Sequence, residues 1–526
     1  MELPDPRKVD WPLPPSTEEE LEPFGGEALQ IAAEEIRHAL RGVGAEASEA
    51  FVDMLARTLE ASPSPEDSVR AIERLVATPD SAAEFVQLSL QLPEAFSRLF
   101  VLLGHSRPLA NHLVRGGWRE FMGLSVEELA QPVTKEQIIN RGRERLAQGV
   151  EVLAALRLTH RDFATRVLYH ERALQFPLEA VTAEISALAD GALQVACEFA
   201  KGEIARRRAL PAGGDFRFCV IAFGKLGARE LNYASDIDLS FVFDGEPAQP
   251  QEGRGLSGPE FAVKIAEAMI PLIDQVTEDG NVFRVDTRLR PDGKKGRLAR
   301  GLESTVQYYF SFGSTLERQA LLKARPCAGD LELGETMFAR LTPWVYRKYL
   351  TVGEINEIKG LKRQIEQRAE AGQDTFRDLK HGFGGIRDIE FVTQFLQLLN
   401  GGRLPALRVR DTLGALKALA QNGVLRRAES DELAQAYRFL RGIEHRLQLW
   451  EGLQTYRVPD SRTDIERVAR CLGYAPQQTA DLEARRAAGQ SRAVLSPGRA
   501  MINDLKAHTL RVRGLLVRLF AGLFST

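Results

Sequence analysis

Cysteine is scarce in this chain: four residues among 526, Cys197, Cys219, Cys327 and Cys471, with no CxxC pair and no Cys/His cluster at metal-binding spacing. That excludes a zinc-ligand motif and a disulfide framework, and it fits a reducing cytosol and a cytoplasmic protein. An excess of charge is missing too. Sixty-nine basic residues face 72 acidic ones for a net charge of −3, so no overall positive field is available to hold phosphates, and no nucleic-acid partner is expected. No apolar run approaches the ~20 residues that span a bilayer, so no membrane partner is expected either. Neither GxxxxGK[ST] nor GxGxxG occurs, which removes the two common glycine-rich nucleotide loops. Residues 1–26 lack the basic region and apolar core of a targeting peptide, and their proline and acid content reads as a flexible leader.

What is present falls into three patterned segments. From 27 to 208 apolar residues recur at three and four, as in ALQIAAEEIRHALRGV and LPEAFSRLFVLLGHSRPLANHLV, which predicts an N-terminal helical domain. Between 209 and 345 the period shortens: FRFCVIAF (216–223), DIDLSFVF (236–243) and NVFRVDTRLR (281–290) read as strands, with FAVKIAEAMIPLIDQV as a helix between the last two. From 346 to 526 the helical period returns, interrupted by the glycine-rich KHGFGGIRD (380–388) and by a loop-like stretch at 484–499. The expected fold class is α+β, a small mixed sheet flanked by two helical domains.

The chemistry concentrates in FGKLGARELNYASDIDLSF (223–241). Side chains on a strand alternate, so Asp236 and Asp238 share one face, roughly 6 to 7 Å apart at Cα, while Ile237 and Leu239 point to the core. Two carboxylates at the edge of an apolar sheet repel and lose hydration unless a cation lies between them. Mg²⁺ or Mn²⁺, which accept a few carboxylate oxygens plus phosphate oxygens, suit such a pair. Gly224 and Gly227 allow a tight turn with open amides, and Lys225 adds a point charge. In NVFRVDTRLR, Asp286 shares a face with Arg284, Arg288 and Arg290, and a strand placed beside DIDLSFVF brings Asp286 to the pair. Lys294, Lys295 and Arg297 follow in the loop, as a phosphate tail requires. Each piece has a plainer reading: solvated strand-end acids, an exposed sheet face, a solvated turn.

In the glycine loop, Asp388 and Glu390 stand two apart, but at the start of a helix they face about 200° apart and cannot grip one ion. Lys380, Arg387 and the loop glycines are the expected contacts for a phosphate or target protein, with a plain capping loop as the alternative. Glu444 and His445 lack a second histidine at i+4 and read as structural.

A strand, a glycine turn, a DxD strand and a later strand with a third acid resemble the DNA polymerase β-type nucleotidyltransferases. The longer strings GKLGARELNYASDIDL, FRVDTRLRPDGKKG, ERQALLKAR, GGIRDIEF and YRFLRGIEHRLQ resemble the glutamine synthetase adenylyltransferase/adenylyl-removing enzymes, from about residue 90 onward. Members of that family carry two such halves, one removing AMP from a tyrosine of glutamine synthetase by phosphorolysis and one adding it from ATP. This chain has one DxD unit, and GGIRDIEF, GGRLPAL, YRKYL and EGLQTYRVP look more like the removing half. The resemblance implies metal and catalytic roles for Asp236, Asp238 and Asp286, and nucleotide or phosphate contacts from Gly224, Lys225, Gly227, Ser235, Arg288, Arg290, Lys294, Lys380 and Arg387. It implies Mg²⁺ or Mn²⁺ as cofactor, glutamine synthetase as protein substrate, ADP or ATP and orthophosphate as small partners, and a PII-type signal protein. Adenylylation from ATP and transfer to nucleic acid are the alternative activities. Ala228 and Ser240 depart from the family pattern, which has a second glycine and an aliphatic residue there.

Overall fold

In the computed structural model of the chain, the described residues are 40 and 45–524, apart from 60–61, 78, 212–213, 251–254, 350, 352, 358–359, 361–362, 364–366, 368–376, 475–476 and 479–493. The expected leader, the expected helix over 28–43 apart from residue 40, and most of the stretches 354–372 and 484–499 lie outside them.

Helices occupy the described chain up to Arg207. The two longest are α1, Val152–Arg172, and α2, Leu178–Arg207. The Glu151 carboxylate starts α1 by accepting from the amides of Leu153 and Ala154, two of the donors that a helix leaves unsatisfied at its first turn. Then a five-stranded mixed sheet begins: β1, Arg217–Phe223; β2, Ile237–Asp244; β3, Val285–Asp286; β4, Ala299–Gly301; and β5, Arg325–Gly329. The order is β3-β2-β1-β5, with β4 also pairing β2. β1 runs antiparallel to β2 and β5, whereas β3 and β4 run parallel to β2.

Both faces of this sheet are covered. On one, Phe218, Val220, Leu239 and Phe241 join a core that runs without interruption into the N-terminal helices. On the other, Cys219, Ile221, Phe223 and Val242 pack with Leu333, Met337, Trp344 and Phe391. The α+β architecture is thus a small mixed sheet set between helical regions. All four cysteines are buried and free. Among the described residues no helix is long and apolar enough to cross a membrane.

A short turn α3, Gly224–Gly227, follows β1, and α4, Gly258–Asp274, connects β2 to β3. The capping box of Ser257 and Glu260 and a proline at its start set the entry of α4. At its other end the buried Arg157 of α1 donates Nε to Gly280 O at 2.8 Å and Nη1 to Leu272 O at 3.2 Å. A buried cation there satisfies carbonyls left open by the end of the helix. The amides of Val282 and Phe283 bond back to Ile273 O, so α4 delivers the chain directly to β3. The strand expected over 281–290 is regular only at Val285–Asp286. The Thr287 carbonyl accepts from both the amide and the guanidinium of Arg290, and these bonds turn the chain away.

The C-terminal region contains α5, Ile386–Asn400, α6, Arg427–Glu451, and α7, Pro497–Phe524. Leu505, Val512, Leu515 and Leu516 of α7 are buried in the core of this region, and Phe520 lies 5.8 Å from Phe395 between ring centres. These described apolar side chains of the last helix are therefore packed on this chain.

Candidate functional site

The sheet register brings the acids together. Asp238 pairs with Asp286 across β2 and β3, and Phe223, the residue before the glycine turn, pairs with Asp238 across β1 and β2. Strands lie about 4.8 Å apart and lateral neighbours share a face, so the two carboxylates project side by side with Asp236 one pleat away. Their charges are felt. Burial first, then the carboxylates of Asp286 and Asp236, push Asp238 up to about 6. Burial also opposes ionisation of Asp286, but the side chain and amide of Arg288 outweigh it and hold that group below its usual range. The Arg288 amide donates to Oδ1 at 2.8 Å and Nε to Oδ2 at 2.7 Å, while Arg284 Nε lies 2.8 Å from Asp236 Oδ1.

With Asp236 and Asp286 each turned to an arginine, no group of three His, Cys, Asp or Glu side chains among the described residues is gathered to hold a metal ion. The donor set is nonetheless three hard carboxylates on one sheet face, with Asp238 raised first by burial and then by its two neighbours. Carboxylate oxygens are the hard donors that Mg²⁺ or Mn²⁺ accepts, and Arg284 and Arg288 stand on two of the three acids here.

Gly224 adopts φ +55°, and a Cβ built on it lies 2.6 Å from Asp238 Oδ2. The glycine is required by its left-handed backbone and by the carboxylate beside it. Gly227 has a different reason: a Cβ there would stand 2.1 Å from Lys323 O. It lets α3 pack closely on the segment before β5. Ala228, where the family pattern has a second glycine, caps this turn and is buried, as is Ser240 in β2.

Lys225 points into the interface with the C-terminal helices. Its Nζ lies 2.6 Å from Glu444 Oε1 and 5.6 Å from the centre of the Tyr456 ring. Burial drives this ammonium down to about 8, against the pull of Glu444, and Arg441 and Lys380 lower it further. Glu444 is 0% exposed. Burial alone would raise it, but Lys225 and Arg441 bring it down to about 2. Lys380 Nζ donates to Tyr456 Oη at 3.3 Å, lies 4.4 Å over that ring, and favours the charged form of Asp238.

The remaining expected contacts divide. Ser235 is buried next to Asp236, and Lys294 stands on the surface and favours the charged form of Asp286. Arg290 is spent within its own loop, donating to Thr287 O, Thr287 Oγ1, Gly296 O and Lys294 O. In the glycine loop the amides of Gly382, Gly384 and Gly385 bond to Asp378 O, Asp388 Oδ2 and Gly382 O, and the Arg387 amide bonds to Lys380 O. Those amides shape the loop and are not presented to a ligand. Asp388 and Glu390 serve different partners, since Glu390 Oε1 accepts from Lys323 Nζ at 2.8 Å.

Sequence reasoning gave Glu444 a structural role and passed over Tyr456. Glu444 lies 219 residues from Lys225, and only the string YRFLRGIEHRLQ marked its neighbourhood.

Residues 96–339 match the family model of glutamate-ammonia ligase adenylyltransferase, and residues 359–494 match that of GlnD PII-uridylyltransferase. Among curated proteins, the bifunctional glutamine synthetase adenylyltransferase/adenylyl-removing enzyme of Xanthobacter autotrophicus is 42% identical over 335 residues, 62% of this chain and 33% of the relative. Those of Streptomyces avermitilis and Rhodopseudomonas palustris CGA009, with the same description, are 35% and 34% identical over 82% and 89% of this chain, and over 42% and 46% of their own length. The chain spans between a third and a half of the length of these relatives.

Proposed function

Because this chain is a relative of the bifunctional glutamine synthetase adenylyltransferase/adenylyl-removing enzymes, we propose that it is a nucleotidyltransferase that removes AMP from an adenylylated tyrosine of glutamine synthetase. The observation that carries this reading is the in-register pair Asp238 and Asp286 with Asp236 one pleat away, with the Lys380 ammonium favouring the charged form of Asp238. Three acids beside a glycine turn suit transfer at a phosphorus atom, where charge neutralisation and alignment lower the barrier.

In the proposed reaction an orthophosphate oxygen forms a bond to the α-phosphorus of the tyrosyl-AMP diester. The bond from that phosphorus to the tyrosine oxygen breaks, and the proton of hydrogen phosphate passes to the departing phenolate. ADP and a free tyrosine result. Asp236, Asp238 and Asp286 would hold Mg²⁺ or Mn²⁺, which when bound offsets charge on the reacting phosphoryl oxygens. Lys225 and Lys380 would counter the charge of the incoming phosphate. Its own oxygens are already anionic, so charge compensation matters more than a general base.

The direction of transfer rests on the strings resembling the removing half, with adenylylation from ATP as its opposite. A PII-type signal protein is a proposed partner, supported by the similarity of residues 359–494 to a PII-uridylyltransferase segment. Incubation with adenylylated glutamine synthetase, orthophosphate and a divalent ion tests the reading, with ADP as the expected product.

A further inference from the structure

The connection from β1 to β2 begins with the glycine turn that holds Lys225 and ends at Asp236, immediately before β2. It is no surface loop, since Leu226, Ala228, Glu230, Leu231, Asn232 and Ser235 are all buried. Arg229 takes φ +58°, a left-handed backbone that a residue with a side chain adopts at a cost. The Glu230 amide closes the turn on Lys225 O at 2.8 Å. From there the stretch is tied to other parts of the chain. The Leu231 amide donates to Ser186 Oγ of α2 at 3.2 Å. The Glu230 carboxylate accepts from Lys323 Nζ at 3.0 Å and from the Thr412 amide at 2.6 Å.

The tie closest to Asp236 in sequence is made by Arg441 of α6, 1% exposed. Its Nη2 donates to Glu230 O at 2.6 Å and to Asn232 Oδ1, its Nη1 donates to Tyr437 Oη at 2.7 Å, and its Nε lies 3.0 Å from Glu444 Oε2. Tyr437 and Glu444 stand one turn before and one turn after Arg441 on the same helix face, so α6 itself aims the guanidinium. The remaining donors go to the connection. Glu444 meanwhile takes Lys225 at 2.6 Å. One pair of side chains on α6 thus grips the connection at both Lys225 and Asn232. An arginine suits this place because its planar fork serves four acceptors from one position, which a lysine ammonium with three donors does not.

We propose that Arg441 is a positioning residue for the transfer reaction: by holding Glu230 O and the Asn232 amide oxygen, it fixes the stretch 230–236 and with it the place of the Asp236 carboxylate beside Asp238. The inference rests on the nucleotidyl-transfer reading and extends it to a residue 205 positions beyond Asp236. Arg441 meets no substrate and acts through Asn232. Three residues separate Asn232 from Asp236, and a displacement of about 1 Å at a reacting group costs on the order of 100-fold in rate. Arg145 provides the contrast. It is also a buried arginine, but it donates to Thr159 and Asp162 within the N-terminal helices and touches nothing in the connection.

The test compares the full wild-type chain with Arg441→Met, Arg441→Lys, Asn232→Ala and the control Arg145→Met. Three quantities are measured: the denaturant midpoint, amide hydrogen exchange over 230–236, and ADP formation from adenylylated glutamine synthetase, Mg²⁺ and orthophosphate. In Arg441→Met the exchange should quicken and kcat should fall at least about ten-fold, with KM for the adenylylated protein changed by less than about three-fold. Arg441→Lys keeps a cation for Glu444, so it should recover stability but not turnover. Asn232→Ala should lower kcat in the same way, and its effect should not add to that of Arg441→Met. Arg145→Met should lower the midpoint while leaving exchange over 230–236 and kcat per folded molecule as in wild type. Wild-type turnover in Arg441→Lys or in Asn232→Ala overturns the proposal, and these two variants decide it if Arg441→Met does not fold. Exchange over 230–236 no faster in the Arg441 variants than in Arg145→Met overturns it as well. A wild-type chain that forms no ADP contradicts the reaction instead, and the exchange measurement still decides whether Arg441 fixes the stretch.

Discussion

Lys225 and Glu444 stand 219 residues apart in the chain and 2.6 Å apart in space, one in the glycine turn beside Asp238 and the other within a helix of the C-terminal region. The pair makes the charge carried by the glycine turn depend on a distant segment. Glu444 raises a lysine that burial has lowered to about 8, so removing the carboxylate lowers that lysine further. Lys225 is then neutral at a pH where the wild type still carries charge. Glu444→Gln is expected to cut turnover at neutral pH by at least roughly ten-fold, in line with the loss of one electrostatic contact to a reacting group. The alkaline limb of its pH–rate profile should lie below that of the wild type. An unchanged limb would detach Lys225 from the reaction.

Asp238 gives a stability prediction with the opposite sense. Its folded-state value of about 6 lies above the ordinary 3.8. Its contribution is therefore favourable at low pH and is lost as pH rises through about 6, leaving a penalty at neutral pH. Asp238→Asn should stabilise the chain at pH 7 by about 1–2 kcal/mol while abolishing activity, the common trade between a strained site and stability. Chemical denaturation at pH 7 and again below pH 4, where the gain should vanish, checks this.

Gly224 is held by two constraints at once. Replacement by alanine places a methyl group 2.6 Å from Asp238 Oδ2 on a backbone at φ +55°. The left-handed conformation alone costs about 1–2 kcal/mol. Gly224→Ala is expected to lower stability by at least that and to reduce turnover more than ten-fold by displacing the carboxylate. Wild-type kinetics in this variant would contradict the site geometry.

The ion pair of Arg325 with Asp190 joins α2 to β5, with contacts of 2.8 and 2.9 Å, and the same guanidinium donates to Leu226 O at 3.0 Å in the glycine turn. Asp190→Ala leaves a buried cation unpaired, so a loss of about 3–5 kcal/mol is expected in denaturant unfolding. A loss under about 1 kcal/mol would show that the turn is supported by other contacts.

Much of this site was legible in the residues. The alternation of Asp236, Ile237 and Asp238 is a local property of a strand, and it survives in β2, where Ile237 and Leu239 are buried. The expectation for Asp286 required only that its strand lie next to β2, which the register meets. The reach of that strand was overestimated, because alternating polarity continues through Arg290 while Thr287 and Arg290 fold the chain into a turn. Lys225 and the glycine turn were visible as chemistry, but the partner of that lysine was not. Nothing in the composition of α6 distinguishes Glu444 from other helical acids until the tertiary fold brings Lys225 to it. The strand Arg325–Gly329 also escaped notice, since a short buried strand with a proline carries no alternating pattern.

The central claim, phosphorolytic removal of AMP at the three acids, is tested most directly by mixing the chain with adenylylated glutamine synthetase, Mg²⁺ and orthophosphate and measuring ADP by chromatography. The account predicts phosphate-dependent ADP from the wild type and none from the Asp236→Asn, Asp238→Asn double variant. No ADP from the wild type, with AMP instead incorporated into unmodified glutamine synthetase from ATP, or equal ADP from the double variant, would contradict it.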